Sequence, residues 1–225
     1  MTSQEPRERL MQAIRKLSRR GILDASSGNI SLRTDDHRIF VTPSGIDYDD
    51  MEPSDLVEIS LSDTIVEGNY PPSSEWPLHR EIYKVRADAE MVIHSHAPFA
   101  TTMACLERSI PPFHYMVALS GGVNIPCLPY RPIGGEALAQ EIARTLSDRH
   151  ACLMGHHGMV VVGESMEKAI WRAKELENVC EQYWRALQIR EPALLPQKEM
   201  ERIVEVFAGY GGQKKLPEEA LRVLA

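Results

Sequence analysis

The 225-residue chain lacks any apolar run approaching the roughly 18 residues that span a bilayer, and its opening Met1-Thr2-Ser3-Gln4-Glu5 lacks the apolar core of a signal peptide. Neither membrane insertion nor export is expected. Cysteine is scarce. Cys105, Cys127, Cys152 and Cys180 are scattered with no Cys-x-x-Cys pair, and three lie among apolar residues, so they read as reduced residues of a cytoplasmic protein. Positive charge is in deficit, with 25 Lys and Arg against 32 Asp and Glu, a net charge of −7. A chain without a basic face is not built for nucleic acid or anionic lipid, and any phosphate it handles should be small. No internal repeat, low-complexity tract or Pro/Gly-rich linker divides the sequence. One domain over 1–225 is expected.

What is present is enough apolar content, 43%, to bury one substantial core. Leu10, Met11, Ile14 and Leu17 recur at helical spacing and predict a helix over Pro6–Arg20, ended by Gly21. Ile30–Arg33 and Arg38–Thr42 read as a β-hairpin, and Leu56–Leu61 with Thr64–Val66 as a second strand pair. Ser73 or Ser74 is a candidate cap for a helix reaching about Arg86, which would place Glu75 in its first turn. A strand from Met91, a short helix from Pro98 to about Cys105, and an irregular Pro-rich stretch over 110–132 follow. Further helices are expected over Gly135–Ser147, Ser165–Ile189 and Gln197–Phe207, with two strands flanking His157. This mixture implies an α/β fold with a central sheet covered by helices on both faces.

The chain is organised around Met91-Val92-Ile93-His94-Ser95-His96. Alternate side chains of a strand share a face, so His94 and His96 point the same way and can grip one metal ion. His157 of Gly155-His156-His157-Gly158, at another predicted strand end, offers a third nitrogen. Three neutral imidazoles suit zinc and leave a coordination position open, as catalytic sites do. Glu75 either complements a helix dipole or, facing the metal, serves as the proton-transfer group. His79, four residues on, would orient Glu75 or pack beside it. The loops Ser27-Gly28-Asn29 and Ser44-Gly45, with Ser73-Ser74, offer hydroxyls and backbone N–H groups suited to a compact phosphate.

Ser27-Gly28-Asn29, Thr42-Pro43-Ser44-Gly45-Ile46, Pro72-Ser73-Ser74-Glu75-Trp76, His94-Ser95-His96-Ala97, the stretch Ile110 to Met116, Gly121-Gly122, Ile125-Pro126-Cys127 and His156-His157-Gly158 resemble the zinc-dependent class II aldolase/adducin family. Within it they are most similar to the L-fuculose-1-phosphate aldolases. The blocks appear in family order from about residue 8 to residue 210. The resemblance implies a three-layer αβα domain with a central mixed, largely antiparallel sheet. It implies His94, His96 and His157 as ligands of one Zn2+ per subunit, and Glu75 as acid/base and as an additional ligand without substrate; on ligand type, Mn2+ or Co2+ could occupy the same three nitrogens. It implies a phosphate pocket of Gly28, Asn29, Ser44, Gly45, Ser73 and Ser74. Tyr115 falls where a tyrosine handles the aldehyde oxygen, and Tyr210 where a C-terminal tyrosine closes over the site, ahead of a tail over about 211–225 that is expected to move. A homotetramer with active sites at subunit interfaces is implied as well.

The implied reaction is reversible cleavage of a ketose 1-phosphate to dihydroxyacetone phosphate and an aldehyde. L-fuculose 1-phosphate, 5-deoxyribulose 1-phosphate and 5-methylthioribulose 1-phosphate are the candidate substrates. Other activities use the same scaffold: methylthioribulose-1-phosphate dehydration, sugar-acid-phosphate decarboxylation, and pentulose-phosphate 4-epimerisation, which typically has Asp where this chain has Glu75. An adducin-like binding module would lack the zinc ligands. Ser44 replaces the threonine of the most similar members and keeps the hydroxyl, while the segment over 131–135 and the tail from Gln213 depart from the pattern.

Overall fold

A computed structural model of the chain describes residues 4–35, 37–62 and 64–208. Its strands are β1 (Asn29–Asp35), β2 (Arg38–Val41), β3 (Val57–Ser60), β4 (Ile65–Glu67), β5 (Met91–Ser95), β6 (Cys127–Leu128), β7 (Ala151–Met154) and β8 (Gly158–Gly163). They form one sheet in the order β4-β3-β2-β1-β5-β8-β7-β6. Every pairing is antiparallel except β6 with β7, which is parallel.

The helices are α1 (Gln4–Ser18), α2 (Trp76–Val85), α3 (Pro98–Cys105), α4 (Glu136–Thr145), α5 (Met166–Leu187) and α6 (Gln197–Ala208). The sheet sorts its side chains by period two, so each face carries its own core. Met91 and Ile93 of β5, Met159 and Val161 of β8, and Ala151 and Leu153 of β7 pack with α1, α3 and α5. Val92, Val160, Val162, Cys152 and Met154 point the other way, onto Leu78, Ile82 and Tyr83 of α2 and Leu138 and Ile142 of α4. This is the expected three-layer αβα arrangement. The longest helix begins where Ser165 accepts a hydrogen bond from the Lys168 N–H, and Ala169, Ala173, Leu176, Val179 and Tyr183 form its buried stripe. Among the described residues no helix is long and apolar enough to cross a membrane.

Two local expectations differ from the structure. Glu75 is itself the N-cap of α2, and neither Ser73 nor Ser74 caps the helix. The reason is a turn immediately before it, in which Trp76 N–H bonds the Ser73 carbonyl at 3.0 Å, followed by Pro77, which needs no N–H partner in a first helical turn. The stretch expected to be irregular over 110–132 contains a 3-10 helix at Tyr115–Ser120 as well as β6.

Candidate active site

The β1–β5 register places Asn29 opposite His94, and the β5–β8 register places Ser95 opposite Met159. The turn joining β7 to β8 is therefore delivered to the end of β5. His156, at φ 54, takes the left-handed conformation that short hairpin loops require, and Gly158 lies so close to β5 that a Cβ would meet the Ser95 carbonyl oxygen at 2.4 Å. His157 is thereby brought beside the β5 histidines. Their ring centroids stand 4.7 to 5.0 Å apart pairwise. Glu75 arrives from the start of α2, and ligand atoms of Glu75, His94, His96 and His157 all fall within 4.8 Å of one another.

His94 Nδ1 lies 3.0 Å from the Met159 carbonyl oxygen. That oxygen can only accept, so Nδ1 carries the proton and Nε2 presents a lone pair. Nε2 of His94 faces His96 Nε2 at 3.0 Å and Glu75 Oε2 at 3.1 Å, and His157 Nε2 is 3.4 Å from Glu75 Oε1. Lone pairs crowded in this way are tolerated when a cation sits among them. Glu75 Oε1 is moreover buried without a hydrogen-bond donor from the protein. The donor set of three imidazoles and a carboxylate thus fits a metal ion.

Burial pushes the His157 imidazole down to about 4, assisted by the charge of His94, and burial also lowers His96. Both rings are consequently neutral and able to ligate at pH 7. Burial alone would raise the Glu75 carboxyl, but the facing imidazoles of His94 and His157 and the hydrogen bond from the Asn29 amide outweigh it and hold Glu75 at about 2. A cation held among these neutral rings would act on Glu75 in the same direction.

The loops singled out in the sequence lie around Glu75. Ser44 N–H bonds the Pro71 carbonyl and Ser73 N–H the Thr42 carbonyl, each at 3.0 Å, which sets Ser44-Gly45 beside Ser73-Ser74. Ser44, Gly45 and Ser74 are exposed, and Ser73 is buried. Gly28, at φ 80, packs so tightly that a Cβ would stand 2.6 Å from the His94 carbonyl oxygen, and Tyr48 donates its hydroxyl to the Gly28 carbonyl at 2.9 Å. A cavity of about 250 Å³ opens next to His96, lined also by Gly21, Asp24 and Ser27.

Tyr115 is not part of this cluster. It is half exposed and packs on His114 and Phe207, at centroid distances of 4.6 and 6.3 Å. Tyr210 and the tail over 211–225 lie outside the described residues. Behind Glu75 lies a second layer whose signal in the sequence is weak. The Asn29 side chain joins Glu75 to His79, and His79 is fixed from behind by Ser31. The available signal was the alternation of Asn29, Ser31 and Arg33 with Ile30 and Leu32 along β1, which puts three polar side chains on the face toward α2.

The family described as Class II Aldolase and Adducin N-terminal domain matches residues 8–184. A 5-methylthioribulose-1-phosphate/5-deoxyribulose-1-phosphate aldolase of Rhodospirillum rubrum is 43% identical over 211 residues, 94% of this chain and 95% of the relative. An L-fuculose phosphate aldolase of Escherichia coli K12 is 38% identical over 197 residues, 87% of this chain and 91% of the relative. The solved structure of an L-fuculose 1-phosphate aldolase superimposes with a TM-score of 0.87 at 32% identity, covering 92% of this chain and 98% of its own. On a match spanning most of its length and on relatives of this similarity, the chain belongs to the class II aldolase and adducin family.

Proposed function

We propose that the protein is a metal-dependent aldehyde-lyase that cleaves a ketose 1-phosphate reversibly to dihydroxyacetone phosphate and an aldehyde. The observation that carries this reading is the convergence of Glu75 with His94, His96 and His157 on one point. Its candidate substrates are 5-methylthioribulose 1-phosphate, 5-deoxyribulose 1-phosphate and L-fuculose 1-phosphate, since relatives over nearly the whole chain are named for them. Zn2+, one per chain, is the proposed metal on ligand type, and Mn2+ or Co2+ suits the same nitrogens. The absence of a spanning helix among the described residues and the acidic composition support a cytoplasmic enzyme.

His94, His96 and His157, with Glu75 beside them, would hold a divalent cation, which would supply a Lewis acid for the negative charge that develops as the C3–C4 bond breaks. In the condensation direction the ionised Glu75 takes a proton from C3 of dihydroxyacetone phosphate, and in cleavage it delivers to C3 a proton taken up from solvent, matching the one that leaves the C4 hydroxyl. Gly28, Asn29, Ser44, Gly45, Ser73 and Ser74 hold the phosphate through hydroxyls and N–H groups, an assignment supported by the pairing of the Ser44 and Ser73 loops. Tyr115 moves the proton at the C4 oxygen. Because its ring is half exposed and packs away from the cluster, this role calls for a second copy of the chain, as in a homotetramer with sites at subunit interfaces. Tyr210 is proposed to close over the site.

The test is a steady-state comparison of the three ketose 1-phosphates on purified, metal-loaded protein, with dihydroxyacetone phosphate measured by a coupled enzyme. Release of that product from at least one of them is expected. Release of water, carbon dioxide or an epimer alone would replace the aldolase reading with another reaction of the scaffold.

A further inference from the structure

Behind Glu75 and Asn29 lies a buried chain of hydrogen bonds whose further members, His79, Ser31 and Tyr83, take no part in the steps above. Asn29 Nδ2 is 3.0 Å from Glu75 Oε2, Asn29 Oδ1 is 2.6 Å from His79 Nε2, and His79 Nδ1 is 2.6 Å from Ser31 Oγ. The Ser31 hydroxyl in turn lies 3.0 Å from the Tyr83 hydroxyl. His79 is fully buried and Asn29 almost so. The direction of the chain follows from which atoms can donate. A carboxylate only accepts, so the Asn29 amide nitrogen must face it. The Asn29 oxygen then faces His79 and accepts in its turn, so the proton of the neutral imidazole sits on Nε2. His79 Nδ1 accepts from the Ser31 hydroxyl.

We infer that His79 is a positioning residue for the proton transfer: it locks the Asn29 amide in the orientation that makes Glu75 Oε2 a permanent acceptor, which leaves Oε1 as the oxygen that carries the proton to and from substrate. An acid whose O–H lay on Oε2 would oppose the Asn29 donor, whereas Oε1 meets no donor from the protein. The neutral state of His79 is held by its burial, so the ring has one tautomer and one task. Remove the Nε2–H, and Asn29 Oδ1 is left buried without a partner. The amide is then free to rotate, and Glu75 loses its fixed donor.

This inference rests on the proposed aldolase reading, and the experiment separates the two. His79→Gln keeps a donor for Asn29 and an acceptor for Ser31, whereas His79→Met keeps volume and loses both. Both variants and the wild type, loaded with Zn2+, are compared for zinc content, for kcat and KM in ketose 1-phosphate cleavage, and for exchange of solvent deuterium into C3 of dihydroxyacetone phosphate. For His79→Met, kcat and the exchange rate are expected to fall about 10- to 100-fold, with zinc content unchanged and KM altered less than about threefold. For His79→Gln, most of both rates should return.

Wild-type rates in His79→Met overturn the inference. So does a rise confined to KM, which would place Asn29 in substrate binding alone, and so does equal loss of zinc and activity in both variants. Should His79→Met fail to fold, Ser31→Ala removes the donor that holds the His79 tautomer. A measurable fall in kcat at constant KM is then expected, and an unchanged kcat rejects the inference. A wild-type protein that neither cleaves any of the three substrates nor exchanges C3 fails the functional reading, and the inference with it.

Discussion

Glu75→Gln is the substitution that separates holding a metal from moving a proton. The amide retains the shape and can still accept from Asn29 Nδ2, now 3.0 Å from Oε2, but it has no basic oxygen to exchange a proton at C3. Metal content by atomic absorption should stay near one per chain while turnover falls about 10²- to 10⁴-fold; a fully active variant would remove Glu75 from the chemistry. Gly28 makes a different kind of residue-scale demand. Its φ of 80 and the 2.6 Å contact that a Cβ would make with the His94 carbonyl oxygen mean that alanine must displace either the loop or β5. Gly28→Ala should cost about 2 kcal/mol or more and weaken metal retention, read from thermal unfolding and metal content together. An unshifted melting temperature would show that the loop is free to yield.

At the scale of elements, most of the chain was legible because helices and strands report their own periodicity. The apolar spacing of α1 and α5 and the alternation along β5 and β8 needed no partner to be read. Ser165 illustrates how local such a signal is, since its hydroxyl accepts from the Lys168 N–H at 3.2 Å, within the same turn. Ser165→Ala is expected to destabilise by about 1 kcal/mol and to lower the melting temperature by roughly 2–4 °C, with the metal site untouched. No change in calorimetry would mean that water caps α5 as well as serine does. The start of α2 is not legible locally, because two serines precede Glu75 and the caps are alike in sequence. What decided between them was the Ser73–Trp76 turn, itself tied to the pairing of Ser73 with Thr42, 31 positions earlier in numbering.

The molecule as a whole carries a pH dependence that follows from its buried imidazoles. Burial, then the charge of His94, brings His79 down to about 3, and burial, then the charge of Arg172, brings His150 down to about 4. In the unfolded chain both return to about 6.5. Below that pH the unfolded state binds protons that the folded state refuses. The stability is therefore complete above about pH 6.5 and is lost as the pH falls toward 4 and then 3, by an amount on the order of a few kcal/mol. Urea midpoints of chelator-treated protein should be level down to about pH 6.5 and fall from there to about pH 4.5; a flat profile would mean that these rings already accept protons in the fold. Acid should act on the metal in the same direction, because His96 and His157 ligate only when neutral.

Several properties were settled by the amino-acid order alone: the succession of helices and strands, the two cores on opposite faces of the sheet, the His94 and His96 pair, and the family. Each depends on residues a few positions apart, or on blocks of sequence kept in a set order. The tertiary structure decided how His157 and Glu75 reach that pair, that Glu75 and not a serine caps α2, and that Asn29 turns its amide to Glu75 with His79 behind it. These depend on strand register and on the seating of α2 against β1. No local pattern encodes such contacts, because a slip of one residue in register would turn the same side chains to the other face of the sheet.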